Sequence, residues 1–314
     1  NWSTGVVPTS DDDVTIVSST ASIVITLTSG ELANFNTLTV GGDSTYNAEF
    51  VLEGNVGTGR DIIIANKGTV RQKNKVSQTI SGDITIESGG YFRHFDNSTT
   101  HLYSIDFNAY NVTVESDGYI DVSGLGFDSQ TGPGAGGYDP AYGGGGAHGG
   151  DGGSLDGSTG SGGTAYCDSN NPITLGSGGG ANSRVGGGSG GGLIILHVTN
   201  TFSNSSWVRA NGGMGSEDGN KYSGGGGAGG INITARNFIS SGYIYATGGG
   251  AYFPNYLAGG GGGGCIYIEY GTYTNSRSPI SSGGYSAFSG ASGSTGTGVT
   301  NFVNTNPSVS LVAT

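Results

Sequence analysis

The sequence predicts an all-β protein built as a parallel β-helix, and three observations lead to this prediction. Val, Ile, Thr, Tyr and Phe, which favour strands, are plentiful in the 314 residues, and no long window has a helical period. Short runs alternate apolar and polar residues, and Gly, Asn, Asp or Ser separates one run from the next. Segments in the second half repeat, which predicts coils that stack on one another.

Residues 1–123 consist of these alternating runs, for example DVTIVSS, SIVITLTS and DIIIANKGTV. Two-residue hairpin signals are few, so we expect the chain to turn corners and not to reverse. This part is predicted to form coils made of strands alone. Residues 124–314 are predicted to continue the same solenoid, so that the chain is one domain.

The repeat in the second half has a period of about 35 residues. Three segments align: 191–213, 229–249 and 263–284. Each contains two glycines, an alternating strand, a polar corner, a second short strand and further glycines, and Ile195, Ile231 and Ile266 occupy matching places. A β-sandwich is the alternative, since it also has short strands at regular spacing. The unequal glycine insertions favour the β-helix.

Glycine is distributed unevenly, with 12 in residues 1–123 and 55 in the remainder. Ordering a glycine run has a high cost in backbone entropy, which dense backbone contact must offset. Chains without side chains can approach closely and bond laterally. We therefore expect the runs at 143–153, 176–192, 224–230 and 259–264 to pack side by side, as extended segments or tight loops, on one flank of the helix.

These passages resemble the glycine-rich β-helical regions of large secreted and cell-surface proteins. The resemblance rests on VESDGYIDVSGLGF, GGGGAHGGDGG, GGGSGGGLIIL and IYATGGG, and it extends from about residue 80 to residue 298. It implies an extracellular adhesin or structural role without an assigned activity. Cys265 departs from the pattern, which has a polar residue at its place.

Charge and hydropathy exclude two classes of partner. The net charge of −12 argues against nucleic acid, which basic surfaces bind. No apolar run approaches the length of a membrane span. Basic residues cluster between Arg60 and Arg93, where we expect a solvated strand face; an anionic-ligand site is the alternative. The chain begins at Asn1 without Met, which suggests a processed form or a piece of a longer protein.

The two cysteines, Cys167 and Cys265, are predicted to form one disulfide, as expected for a secreted chain. The alternative is two unpaired buried thiols. Two cysteines alone do not make a structural zinc site.

No catalytic, cofactor or metal residue is predicted. Gly-x-Ser-x-Gly around Ser189 is a chance match at this glycine content, and the four histidines lack ligand spacing. A candidate acidic patch that a polysaccharide-cleaving β-helix would need comprises Glu87, Asp106, Glu115, Asp117 and Asp121, with Arg93 nearby. Calcium binding remains an alternative at 149–157, which resembles a calcium-binding nonapeptide, and at Asp11–Asp13.

Two sets of surface residues are candidates for contacts or modification. Exposed aromatic rings suit sugars or protein partners, and the candidates are Tyr138, Tyr142, Tyr252, Phe253 and Tyr256. The Asn-x-Ser/Thr sequence, which marks N-glycosylation in a eukaryotic secretory chain, occurs at Asn1, Asn97, Asn111, Asn204 and Asn232.

The sequence thus predicts a non-enzymatic extracellular protein at the cell surface, either an adhesin module or a fibre subunit. Open ends of a solenoid invite self-association, and a head-to-tail contact would produce a filament. The alternative is a β-helix that binds or cleaves polysaccharide, similar to a tailspike or a lyase, with glycans as partners.

Overall fold

The computed structural model describes residues 6–42, 45–155, 158–251, 257–286 and 292–302. Within them the chain forms strands and no helix, and the strands make two sheets of ten and seven strands. The first sheet contains β1 (Asp13–Ile16), β3 (Leu32–Val40), β5 (Asn55–Ile64), β7 (Gln78–Thr79), β8 (Asp83–Ile86), β10 (Ile105–Val114), β12 (Leu193–Asn204), β14 (Gly230–Ser240), β16 (Cys265–Asn275) and β17 (Thr297–Phe302). The second sheet contains β2 (Ile23–Leu27), β4 (Ala48–Leu52), β6 (Gly68–Gln72), β9 (Tyr91–His94), β11 (Tyr119–Asp121), β13 (Trp207–Arg209) and β15 (Tyr243–Tyr245).

The chain visits the two sheets in turn, and in each sheet the strands follow one another in chain order. Every pairing between these strands is parallel. The all-β prediction is therefore confirmed. Parallel pairing does not fit the alternative sandwich, whose sheets are antiparallel. Both sheets run through residue 123 without a break, because β10 pairs with β12 and β11 with β13.

The core lies between the sheets and consists of columns of equivalent side chains. One column of the second sheet runs through Phe50, Val70, Phe92, Ile120 and Val208, all of which are buried. Alternation of inward and outward residues, which the sequence indicates, produces such columns because side chains on a strand point alternately to its two faces.

The register corrects one detail of the predicted repeat. Ile194, and not Ile195, pairs with Ile231, which in turn pairs with Ile266. Ile195 belongs to a separate small cluster with Leu175 and Leu193. The continuous apolar run Leu193–Ile194–Ile195–Leu196 has no alternation from which the inward residues could be recognised.

The four glycine runs bond to one another through their backbones. The amide of Gly180 donates to the carbonyl of Gly144 at 2.7 Å, and the amide of Gly225 donates to Gly259 at 2.9 Å. The amide of Gly191 donates to Gly227 at 2.9 Å. The runs are thus mutually bonded and are not isolated loops. We call the runs 143–153, 176–192, 224–230 and 259–264 the glycine bundle.

Backbones in the glycine bundle lie too close for side chains. A Cβ atom built on Gly224 would overlap the carbonyl oxygen of Gly144, and one on Gly190 would overlap that of Gly176. Alanine occurs within the bundle at Ala147 and Ala228, and both are fully buried. The short distance between neighbouring backbone segments therefore requires glycine at these positions.

Candidate functional site

A column of aromatic side chains lies on the outer face of the second sheet. Tyr91, Tyr119, Trp207 and Tyr243 are in register on four successive strands, and each is the first residue of its strand. The rings of Tyr91 and Tyr119 stack with centroids 4.7 Å apart, and those of Trp207 and Tyr243 stack at 4.2 Å. All four are half-buried, so each ring supports its neighbours and still reaches the surface.

A second column, two residues further along each strand, carries mostly charge. It contains Arg71, Arg93, Asp121 and Arg209, in register from β6 to β13. Arg209 forms an ion pair with Asp121 at 2.6 Å, and Nε of Arg93 donates to the carbonyl of Asp121 at 3.0 Å. We call the two columns together the aromatic–arginine face.

The cations on this face lie against aromatic rings. The guanidinium of Arg209 is 5.5 Å from the ring centre of Tyr119 and 5.4 Å from that of Trp207. Arg71 and Lys73 lie 4.9 Å and 5.1 Å from the ring centre of Phe95. Such contacts hold a cation in one orientation while part of it stays hydrated.

Acidic partners offset only part of this positive charge. Arg71 pairs with Glu49 at 3.4 Å, and Lys73 pairs with Glu53. The hydrogen bond to Glu53 raises the pKa of Lys73 above its usual value. On a chain with a net charge of −12, the face is a local concentration of basic groups, including two of the cluster that the sequence places between Arg60 and Arg93. Planar guanidinium donors match the geometry of carboxylate and sulfate oxygens.

The sequence signal for this face is a recurring dipeptide at the corners. A small residue precedes the ring in Gly90-Tyr91, Gly118-Tyr119, Ser206-Trp207 and Gly242-Tyr243. Aligning these dipeptides by repeat would have revealed the column. The column is not visible as a local aromatic cluster in the sequence, because each strand contributes only one ring to it.

The predicted aromatic contacts divide into three groups. Tyr138 is exposed, as expected of a contact residue. Tyr142 is half-buried and stacks on Tyr222 with centroids 6.2 Å apart, beside Ala251 and Ala258. Tyr252, Phe253 and Tyr256 lie outside the described residues.

The candidate acidic patch does not converge. Asp106 lies on β10 in the first sheet, whereas Asp121 lies on β11 in the second and is paired with Arg209. Glu115 and Asp117 are exposed at the corner between these strands. Glu87 and Glu115 directly follow Ile86 and Val114, which pair in register, so these two acids are neighbours, whereas Asp106 and Asp121 lie on different sheets.

Acids at the two candidate calcium positions accept hydrogen bonds from the protein itself. The carboxylate of Asp12 accepts hydrogen bonds from the amide and hydroxyl of Thr9, each at 2.8 Å, and these bonds lower the pKa of Asp12. The carboxylate of Asp151 accepts from the amide of Ala165 at 2.7 Å.

Four of the five glycosylation candidates serve the fold. Asn97, Asn204 and Asn232 are buried, and their side-chain amides donate to Tyr103, Ser240 and Asn171. Asn111 donates to Asp83 at 2.8 Å across neighbouring strands. The amides of Asn97, Asn204 and Asn232 are buried, whereas Asn111 is half-buried on the outer face of β10. The three-residue motif carries no information about burial. Asn1 lies outside the described residues.

Cys167 and Cys265 form a disulfide, as predicted, across a sequence separation of 98 residues. The sequence did not indicate their third neighbour, His148, whose ring packs edge-on against Tyr166 at 5.2 Å. Burial lowers the pKa of His148 to about 4. Ligand atoms of the two cysteines and of His148 all lie within 4.8 Å of one another.

His94 is a second buried histidine, and its hydrogen bonds define its tautomer. Its Nδ1 donates to the carbonyl of Phe95 at 2.6 Å, and its Nε2 accepts from the amide of Leu193 at 3.1 Å. Burial lowers the pKa of His94 to about 4, so the ring is neutral at pH 7. The bond between His94 and Leu193 connects the end of β9 to the start of β12.

No helix suited to spanning a membrane occurs in the part of the chain that the structure describes. The chain matches no family model, no curated protein and no solved structure.

Proposed function

We propose that the protein is a parallel β-helix with the glycine bundle packed on one flank, and that it serves as an extracellular structural and adhesive protein without catalytic activity. In this proposal it is the subunit of a surface fibre or an adhesin module. The disulfide and the low content of charged residues support this proposal.

The observation that carries the proposal is the half-covered inner face of β2, an edge strand of the second sheet among the described residues. On β2, Ile23, Ile25 and Leu27 are only half-buried, whereas their partners on β4, Ala48, Phe50 and Leu52, are buried. A cavity of about 390 Å³ with largely apolar walls opens there. Apolar core residues left half-covered at a strand edge favour addition of another chain.

The direction of the strands determines what kind of contact can form. All strands within a sheet are parallel, and β1 and β17 lie at opposite ends of the first sheet. The outer edge of β1 and the outer edge of β17 are therefore opposite edges of strands that run in the same direction. A second copy can add β17 to β1 in parallel, and repetition of this heterologous contact gives a filament.

Light scattering and electron microscopy on the purified chain test this assembly. We expect fibres or concentration-dependent oligomers, and Leu32→Lys should abolish them because Leu32 is 59% exposed and lines the open cavity. Tyr110→Lys is the matched control, since Tyr110 is 49% exposed on β10, in the middle of the first sheet. A chain that stays monomeric at all concentrations, or equal assembly of both variants, would contradict the proposal.

A second candidate function, binding of an anionic polysaccharide, is favoured by the aromatic–arginine face. Arg71 and Arg93 are in register on neighbouring strands, and Arg209 follows beyond Asp121, so cations are spaced along the sheet as charged groups are along a linear polymer. Arg93→Gln combined with Arg209→Gln should weaken binding to uronic-acid or sulfated polymers in calorimetry. Arg60→Gln, at an exposed pair with Asp61, should leave binding unchanged. Equal binding by neutral polymers would sink this candidate.

A further inference from the structure

His148 is an exception within the glycine bundle. It lies in the run GGGGAHGGDGG at 143–153, where neighbouring backbones leave no room for a Cβ atom at Gly145 or Gly146. Nevertheless an entire imidazole ring is fully buried at position 148. The burial of a polar ring among closely packed backbones therefore needs an explanation other than packing.

The hydrogen bonds of His148 leave one nitrogen unused. Its Nε2 lies 2.9 Å from the hydroxyl oxygen of Thr174. Its Nδ1 is buried and makes no hydrogen bond of acceptable geometry, although the backbone of Gly229 lies close to the ring. A buried polar atom without a partner is costly, and such an atom marks a place where a ligand can bind.

The disulfide sulfurs are the nearest soft donors. Cys265, the first residue of β16, is fully buried, and Cys167 is half-buried. A ligand nitrogen of His148 and both sulfurs lie within 4.8 Å of one another. Zn²⁺ binds thiolate sulfur at about 2.3 Å and imidazole nitrogen at about 2.0 Å, so its ligand atoms are separated by about 3–4 Å. Small movements after opening of the disulfide would reach that spacing.

We propose that the reduced form of the protein binds one Zn²⁺-like cation through Cys167, Cys265 and His148. A thiol reductant supplies two electrons and two protons, which cleave the S–S bond to two thiols, while the reductant becomes a disulfide. The cation then displaces the two thiol protons to solvent and accepts the lone pair of the imidazole. Three protein ligands leave a fourth position for water.

The hydroxyl of Thr174 fits the role of an outer partner. A histidine that binds a metal commonly has its other ring nitrogen held by a hydrogen bond, which fixes the orientation of the ring. In this arrangement Nδ1 would bind the metal and Nε2 would stay on Thr174. The metal and the disulfide would then be alternative links between the glycine bundle and β16.

Cobalt binding to the full chain tests the proposal. The chain is reduced with a phosphine under anaerobic conditions, and Co²⁺ is added while thiolate-to-cobalt charge-transfer absorption is recorded. We expect one Co²⁺ per reduced chain, displacement by Zn²⁺, and no such absorption from the oxidised chain. His148→Gln should weaken binding at least tenfold, whereas His197→Gln, at an exposed position, should not change it.

The comparison of oxidised and reduced wild-type chain needs no substitution, so a folding defect in a variant does not obscure the result. Absence of stoichiometric binding by the reduced wild-type chain would overturn the proposal. Equal affinity of well-folded His148→Gln, checked by circular dichroism, would also overturn it, since the histidine would then only fill space.

Discussion

The two regions of the molecule are held together in opposite ways. Up to residue 123, the packing of buried side chains such as Phe92 and Phe107 between the two sheets stabilises the structure. In the glycine bundle the backbones themselves are in contact, and hydrogen bonds between glycines replace side-chain packing. The first region is therefore sensitive to loss of side-chain volume, and the second is sensitive to added volume where backbones are in contact.

Adding one methyl group to the bundle should have the largest effect. Gly224→Ala places a Cβ atom onto the carbonyl oxygen of Gly144, and a backbone atom can move aside only if several hydrogen bonds break. We expect a loss of about 5 kcal/mol in the free energy of unfolding, at the extreme of single substitutions.

Urea denaturation followed by circular dichroism measures this loss. Gly186→Ala is the matched control, because its nearest neighbours are side-chain atoms of Ser129 at 3.3 Å. Similar midpoints for the two variants would show that the bundle is looser than its hydrogen bonds indicate.

Removing volume from the strand coils should have the next largest effect. Phe92 is fully buried and meets Phe107 edge-on at 5.1 Å. Phe92→Ala should destabilise by about 4 kcal/mol, the usual cost of a large buried cavity. Phe92→Leu, measured in the same way, should cost clearly less. Equal losses would argue that ring contacts, and not filled volume, stabilise this region.

Acid should weaken the junction between the two regions. The pKa of His94 is about 4 in the folded chain, compared with 6.5 for an ordinary histidine. Between these values the unfolded chain binds more protons, so stability is present above pH 6.5 and falls as the pH approaches 4. A shift of this size corresponds to about 3 kcal/mol.

Urea midpoints measured from pH 7 to pH 4 test this dependence. His94→Gln should reduce the slope over that interval, although the variant is less stable at neutral pH. An unchanged slope would assign the acid sensitivity to other groups.

The smallest expected effect belongs to the outer surface of the coils. Arg209→Gln leaves the buried carboxylate of Asp121 without its ion pair, which should cost about 1 kcal/mol. Arg60→Gln removes an exposed pair and should cost less than about 0.5 kcal/mol. Thermal unfolding of both variants gives the comparison, and a reversed order would contradict it.

The parts of the fold that the sequence predicted are those with a local pattern. Alternation in runs such as Asp83–Ile86 and the repeat around Ile231 and Ile266 are visible without coordinates. The register at Ile195 was wrong because its run is apolar throughout. Mutual bonding of the glycine runs followed from the entropy argument, although no sequence pattern specifies which run meets which.

The candidate sites depended on contacts between residues remote in the sequence, and most of them were not predictable. His148 meets Cys265 only because the bundle packs against β16. The column from Tyr91 to Tyr243 is built from one ring per coil, and the amide of Asn97 is hidden by a loop closing over it. A local motif identifies the chemical groups that are present. Whether those groups are buried or brought together depends on how the strands and the glycine runs pack.

The dense backbone contact in the bundle has a consequence for inheritance. Every amino-acid substitution of a glycine adds at least one carbon atom, so Gly190 and Gly224 have no smaller replacement. Related chains should therefore differ mainly at the corners and open ends, while the lengths and spacing of their glycine runs stay fixed.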